Sequence, residues 1–153
     1  MSTPLLEIRN VSKRFVKRLD VAGKIAARLG ADIAEETVHA VDGFSLAIDK
    51  GEVVGLVGES GCGKSTLGRV VAGIHAATEG QIFFEGEDIA AMTRARRREA
   101  TLAIQMIFQD PFASLNPRML VQDIIGEAPR YHGLTTGPGM SDYVDEIMTR
   151  VGL

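Results

Sequence analysis

Residues 53–66 read VVGLVGESGCGKST. Val53-Val54-Gly55-Leu56-Val57 is a short apolar run, expected to form a buried parallel strand. It breaks into a loop, Gly58-Glu59-Ser60-Gly61-Cys62-Gly63, and then into Lys64-Ser65-Thr66-Leu67, the expected start of a helix. Gly58, Gly63, Lys64 and Ser65 satisfy the pattern G-x-x-x-x-G-K-[ST]. Glycines let the backbone bend tightly and approach a ligand with no Cβ in the way. The amides of Gly61 through Ser65 can then point inward as an anion nest, reinforced by the helix N-terminus behind them. Lys64 would reach the β- and γ-phosphates of a nucleotide, and the Ser65 hydroxyl would ligate Mg²⁺. The bland alternative is a glycine-rich turn met by chance. A strand before the motif and a helix after it are the context that separates the two.

The chain has 153 residues, enough for one ordinary domain with a core. Hydrophobic residues make up 45% and charged residues 24%, a globular balance. A net charge of −3 implies no bulk attraction to nucleic acid or to an anionic membrane. The single cysteine, Cys62, excludes an intramolecular disulfide and fits a reducing compartment. Met1-Ser2-Thr3-Pro4-Leu5-Leu6-Glu7 lacks a basic region with an apolar core behind it, so no signal peptide is expected. No apolar run approaches the ~18 residues of a membrane span.

Leu5 to Val11 reads as an opening strand with Leu6, Ile8 and Asn10 on one face. Residues 17–37 differ in kind. Leu19, Ala22, Ala26, Leu29 and Ile33 recur at helical spacing, while Gly23 and Gly30 weaken the helix. A basic amphipathic helix could lie on a membrane or partner. The preferred reading is an excursion between two strands. Val38 to Ile48 alternates at Phe44, Leu46 and Ile48, as a half-buried strand does. His39 reads as structural. Leu67, Val70, Val71 and Ile74 give the helix after the loop an apolar face. Gln81 to Phe84 is a further strand. Arg94-Ala95-Arg96-Arg97-Arg98 has no interleaved aromatic and is followed by Glu99, which favours a solvated helix face over nucleic-acid binding. Ile104 to Phe108 is another apolar strand, running into Gln109-Asp110-Pro111 and an irregular loop as far as Arg118. Helices are expected over 119–128 and 141–151.

Taken together, Ala40-Val41-Asp42-Gly43, Gly58 through Thr66, and Phe108-Gln109-Asp110-Pro111-Phe112-Ala113-Ser114-Leu115-Asn116-Pro117-Arg118 resemble an ABC-transporter ATPase. More narrowly, they are similar to the ATP-binding subunits of bacterial oligopeptide and dipeptide importers. The long Gln109 segment is the specific part; the phosphate loop alone would fit many NTPase families. The implied fold is α/β: a P-loop NTPase with a mixed sheet, an antiparallel β subdomain and a parallel core, truncated before the signature motif. Residues 1–153 would be the N-terminal part of an ABC-type nucleotide-binding domain, with 17–37 an inserted helical excursion and 119–153 the start of the helical subdomain.

The resemblance implies ATP and Mg²⁺ as cofactors. Gly58, Glu59, Ser60, Gly61, Cys62, Gly63, Lys64, Ser65 and Thr66 would bind the nucleotide. Phe15 resembles the aromatic that stacks on adenine, where the family more often has tyrosine; its alternative is a core phenylalanine. Gln109 resembles the glutamine that contacts Mg²⁺ and the attacking water. Lys64 and Gln109 would thus be catalytic, Ser65 and Gln109 the metal ligands. The implied partners are transmembrane permease subunits, a second ATPase subunit and, indirectly, a solute-binding protein, with no nucleic acid. The implied place is the cytoplasmic face of the cell membrane, held there through the permease. The sequence departs from the family in having no Leu-Ser-Gly-Gly-Gln-type signature, no four-residue apolar run ending in Asp-Glu, and no switch histidine; His132 stands in the wrong context. ATP binding without turnover is therefore expected of these 153 residues. The competing readings are a soluble ABC ATPase outside transport, a P-loop kinase or GTPase, and a non-catalytic ATP-binding remnant.

Overall fold

β1 (Leu6–Lys17) is the strand against which the first part of the chain packs. The computed structural model describes residues 3–17, 36–110, 115–135, 137 and 139–153. The chain divides into two compact units, Met1–Met106 and Ile107–Leu153.

In the first unit, β2 (Glu36–Ile48), β3 (Glu79–Phe84) and β4 (Glu87–Asp88) join β1 in an antiparallel sheet of order β2-β1-β3-β4. Apolar residues line up across the three long strands: Leu6 pairs with Ile48 and Phe84, and Ile8 with Leu46 and Ile82. Side chains directly opposite one another in this way are what stabilises a sheet. The strict alternation expected for β1 fails at Asn10. That residue has φ +49° and is exposed, and the pairing with both neighbours shifts register there. The β-bulge turns Val11, 0% exposed, into the core in its place. On the neighbouring strand Gly80 has φ +86°, and a Cβ there would lie 2.3 Å from the Asn10 carbonyl oxygen, so only glycine lets β3 pass the bulge.

Two helices pack on this sheet. α1 (Lys64–Val71) buries Leu67 and Val70 against Ile8 and Val11. It ends sooner than its apolar spacing suggests. Gly73, at φ +74°, donates to the Val70 carbonyl at 3.1 Å and closes the helix, leaving Ile74 half exposed beyond it. α2 (Arg94–Ala103) starts at Thr93, whose hydroxyl accepts from the Arg96 N–H at 3.3 Å. It buries Ala100 with Phe84 and Met92 in a second apolar cluster. The basic run is a solvated face, as expected: Arg94, Arg97 and Arg98 are exposed. Arg96 bonds Glu85 and Glu99 and lies 3.4 Å from Glu87; hydrogen bonds to Glu85 first and Glu99 second hold its guanidinium above the usual value.

In the second unit, α3 (Val121–His132) and α4 (Gly139–Val151) pack together. Gly126 makes room for Met140, since a Cβ would stand 3.0 Å from its sulfur. Val144 and Pro129 are buried. α3 runs through Pro129, past the expected end at Ala128, and stops at Gly133, φ +64°. Packing outweighs the loss of one N–H here.

Two expectations are corrected. Lys17, Glu36 and Thr37 belong to β1 and β2, where Lys17 pairs with Glu36. The ends of the expected 17–37 excursion are therefore strand, and the rest of it, residues 18–35, lies outside the described residues. The apolar runs 53–57 and 104–108 form no strands: Val53 is 96% exposed, Val57 95% and Ile107 95%. A parallel strand needs a hydrogen-bonded neighbour and cover on both faces. Among the described residues no strand lies beside either run.

Open apolar backbone of this kind templates association. Sedimentation velocity over a concentration series should show species larger than the monomer growing with concentration, and Val57→Lys should reduce them. A monomer at every concentration, with a sharp reversible thermal transition, would overturn this.

Candidate functional site

Between β2 and α1 the chain turns at Asp49–Glu52, where the Glu52 N–H donates to the Asp49 carbonyl at 3.1 Å and the Glu52 carboxylate accepts from the Asp49 N–H at 2.8 Å. It then runs without regular secondary structure to Gly58 and into the loop that caps α1. Gly63 is the cap, with φ +96°. A Cβ at Gly63 would sit 2.0 Å from the Ala40 carbonyl oxygen, so the loop rests on the backbone of β2 and only glycine permits it. At Gly58 a Cβ would lie 2.8 Å from the Cys62 sulfur, inside the curl.

The first turn of α1 has no side-chain cap and no acidic residue. Its leading amides are therefore left to an outside acceptor, and the helix dipole favours an anion there. Lys64 folds back over the loop. Its ammonium donates to the Gly58 carbonyl at 2.7 Å, the Glu59 carbonyl at 2.5 Å and the Cys62 sulfur at 3.4 Å. An ammonium has three donors, and all three are used within the loop. Ser65, second in the helix, is exposed, as are Glu59, Ser60, Gly61 and Cys62; Thr66 is half-buried. A cleft of about 180 Å³ lies beside the loop, lined by Val41, Phe44, Leu56 and Leu67 together with loop residues.

These features fit a polyphosphate: helix amides without a side-chain cap, a cation held by exchangeable neutral acceptors, and a glycine, Gly58, where a Cβ would fill the curl. They do not form a metal cage. Among the described residues no three His, Cys, Asp or Glu side chains gather to hold an ion. A magnesium ion would take the Ser65 hydroxyl and the phosphate oxygens, the usual arrangement for an ion that arrives with its nucleotide.

Phe15 lies on β1 in the same unit and pairs with Val38, two residues before Ala40. It is 39% exposed. Its ring meets His75 edge-on, with centroids 5.5 Å apart. His75 escaped the sequence reading because the contact joins residues sixty apart and no local pattern announces it. Gln109 is exposed in the irregular start of the second unit. The structure thus gathers Gly58–Thr66 into one site, with Phe15 on a strand of the same unit. Residues 111–114, in the loop after Gln109, are outside the described residues.

The G-x-x-x-x-G-K-S loop thus has the expected helix after it but no strand directly before it. Residues 41–153 match the ABC transporter family, and the chain belongs to that family. It is 44% identical over 150 residues to the oligopeptide transport ATP-binding protein AppF of Bacillus subtilis, an alignment covering 97% of this chain and 43% of that protein. It is 47% identical over 119 residues to the oligopeptide transport ATP-binding protein OppF of Salmonella typhimurium, covering 77% and 36%. The chain spans less than half the length of the curated relatives it matches. A dimeric ATP-binding cassette in a post-hydrolysis state, bound to ADP and Pi, superposes with a TM-score of 0.65 at 20% identity, over 94% of this chain and 56% of that one. The cbiO1 protein of Clostridium perfringens, part of an ABC transporter complex, gives 0.62 at 23%, over 99% and 52%. These likenesses show the α/β P-loop NTPase fold. Among the described residues no helix is long and apolar enough to cross a membrane.

Proposed function

We propose that this chain carries the ATP-binding portion of the ATPase subunit of an ABC importer for peptides or related solutes. The observation that supports it is the loop Gly58–Thr66, with its uncapped helix N-terminus and its enclosed Lys64, in a chain whose relatives are named as oligopeptide transport ATP-binding proteins. Lys64 and the amides of the loop hold the phosphates, Ser65 ligates Mg²⁺, and Phe15 stacks on the base. Gln109 completes the metal shell and orients water; that role rests on family resemblance. Permease subunits and a second ATPase subunit are the partners, at the cytoplasmic face of the membrane. When bound, Mg-ATP supplies the phosphoryl bond whose cleavage drives transport; the 153 residues here bind it without turnover.

Cys62 provides the test. Its thiol is exposed on the loop, inside the curl that a polyphosphate would occupy. Maleimide labelling of the whole chain, followed by mass spectrometry, should be slowed severalfold by Mg-ATP and not by Mg-AMP. Equal labelling with and without Mg-ATP would count against the site.

A further inference from the structure

We infer that His75 is a positioning residue for recognition of the nucleotide base, acting through Phe15. The inference rests on the reading of Phe15 as the base-stacking ring. An exposed phenylalanine on a strand has several side-chain rotamers open to it. Here two neighbours restrict the ring. His75 meets it edge-on at an interplanar angle of 81°, and the Lys13 ammonium lies 5.0 Å from its centroid. Both are attractive geometries for an aromatic ring.

The two neighbours are themselves fixed. The same Lys13 ammonium donates to the Ala76 carbonyl at 2.9 Å. The Thr78 N–H donates to the Ser12 carbonyl at 2.8 Å, and the Arg14 N–H to the Thr78 hydroxyl at 3.0 Å. Ala76 and Thr78 are thus laced to β1 at Ser12, Lys13 and Arg14, the three residues just before Phe15. On the other side, the N–H groups of Ile74 and His75 both donate to the Arg69 carbonyl, at 2.9 and 3.1 Å, in the closing turn of α1.

One short helix therefore joins the phosphate loop at its N-terminus to the partner of Phe15 just past its C-terminus. At eight residues it spans about 12 Å. A ring already held in place loses less freedom on stacking, and that preorganisation raises affinity for the base without a direct contact from His75.

The experiment compares affinities of Mg-ATP and inorganic tripolyphosphate for the whole chain, with His75→Ala, His75→Phe, Phe15→Ala and the Phe15→Ala/His75→Ala double variant. His75→Ala should weaken Mg-ATP about 2- to 12-fold, the range of one aromatic pair, and leave tripolyphosphate unchanged. His75→Phe should keep the wild-type affinity. Phe15→Ala should weaken Mg-ATP about 5- to 150-fold, and His75→Ala should add nothing in that background. If Phe15→Ala has no effect, the stacking reading fails and this inference with it. If Phe15→Ala weakens ATP while His75→Ala does not, only the inference fails. A loss of tripolyphosphate binding in His75→Ala, or an equal loss of ATP in His75→Phe, would also overturn it.

Discussion

Lys64→Ala should abolish measurable Mg-ATP binding, a loss of roughly 10²-fold or more, from two charge-assisted contacts of ~1.5–3 kcal/mol each. In the structure the ammonium is served by two carbonyls and a sulfur of its own loop. Neutral acceptors of that kind are readily exchanged for phosphate oxygens, whose charge strengthens each hydrogen bond. Alanine removes the only cation that the loop encloses and leaves the helix amides to hold the anion alone. The fold should survive, because Lys64 contributes nothing to the cluster of Ile8, Val11, Leu67 and Val70. Calorimetric titration of both proteins, with circular dichroism to confirm unchanged helix and sheet content, is the check. Equal affinities would remove the phosphate loop from the account of this chain.

The parts of this site that could be read from the sequence are those made by neighbours in the chain. Gly58, Gly63, Lys64 and Ser65 sit within eight residues, and each has its own reason: a close approach to the Cys62 sulfur, a positive φ beside the Ala40 carbonyl, a charge, a hydroxyl. The strand at Phe44, Leu46 and Ile48 was legible for the same reason, since one buried face imposes a period of two. β1 was legible only as far as its first irregularity. The bulge at Asn10 breaks the period, so the extension to Lys17 and the inward turn of Val11 follow from pairing with β2 and β3 and not from the pattern. Val53–Val57 shows the opposite failure. Its composition is that of a parallel strand, but a strand exists only with neighbours, and the described residues offer it none. The contact of Phe15 with His75 was illegible because two distant segments meet only after the sheet and α1 are in place.

The other large effect concerns chemistry after binding. Purified chain should release phosphate from ATP no faster than Lys64→Ala, at least ~10²–10³-fold below a site with its charge-stabilising groups in place. Hydrolysis needs a positioned water, Mg²⁺ held by more than one ligand, and an acceptor for the water's proton. The first unit supplies the Ser65 hydroxyl and the loop amides. Of its carboxylates, Glu52 accepts the Asp49 N–H at 2.8 Å, and Glu59, on the loop, is exposed and engages Lys64 through its backbone carbonyl. Among the described residues no cluster of His, Cys, Asp or Glu could hold the ion in their place. No acidic pair follows a four-residue apolar run in the sequence, so no residue matches the proton acceptor the resemblance calls for. Binding and turnover should therefore separate in this polypeptide, with Cys62 protected by Mg-ATP in a solution that accumulates no phosphate. Joining these residues to the corresponding remainder of a relative should restore turnover, and Gln109→Ala in that chimera should reduce it. Steady phosphate release by the 153 residues alone, above the Lys64→Ala blank, would show that a carboxylate already present acts as the base, and Asp110, next to Gln109, would be the first to substitute.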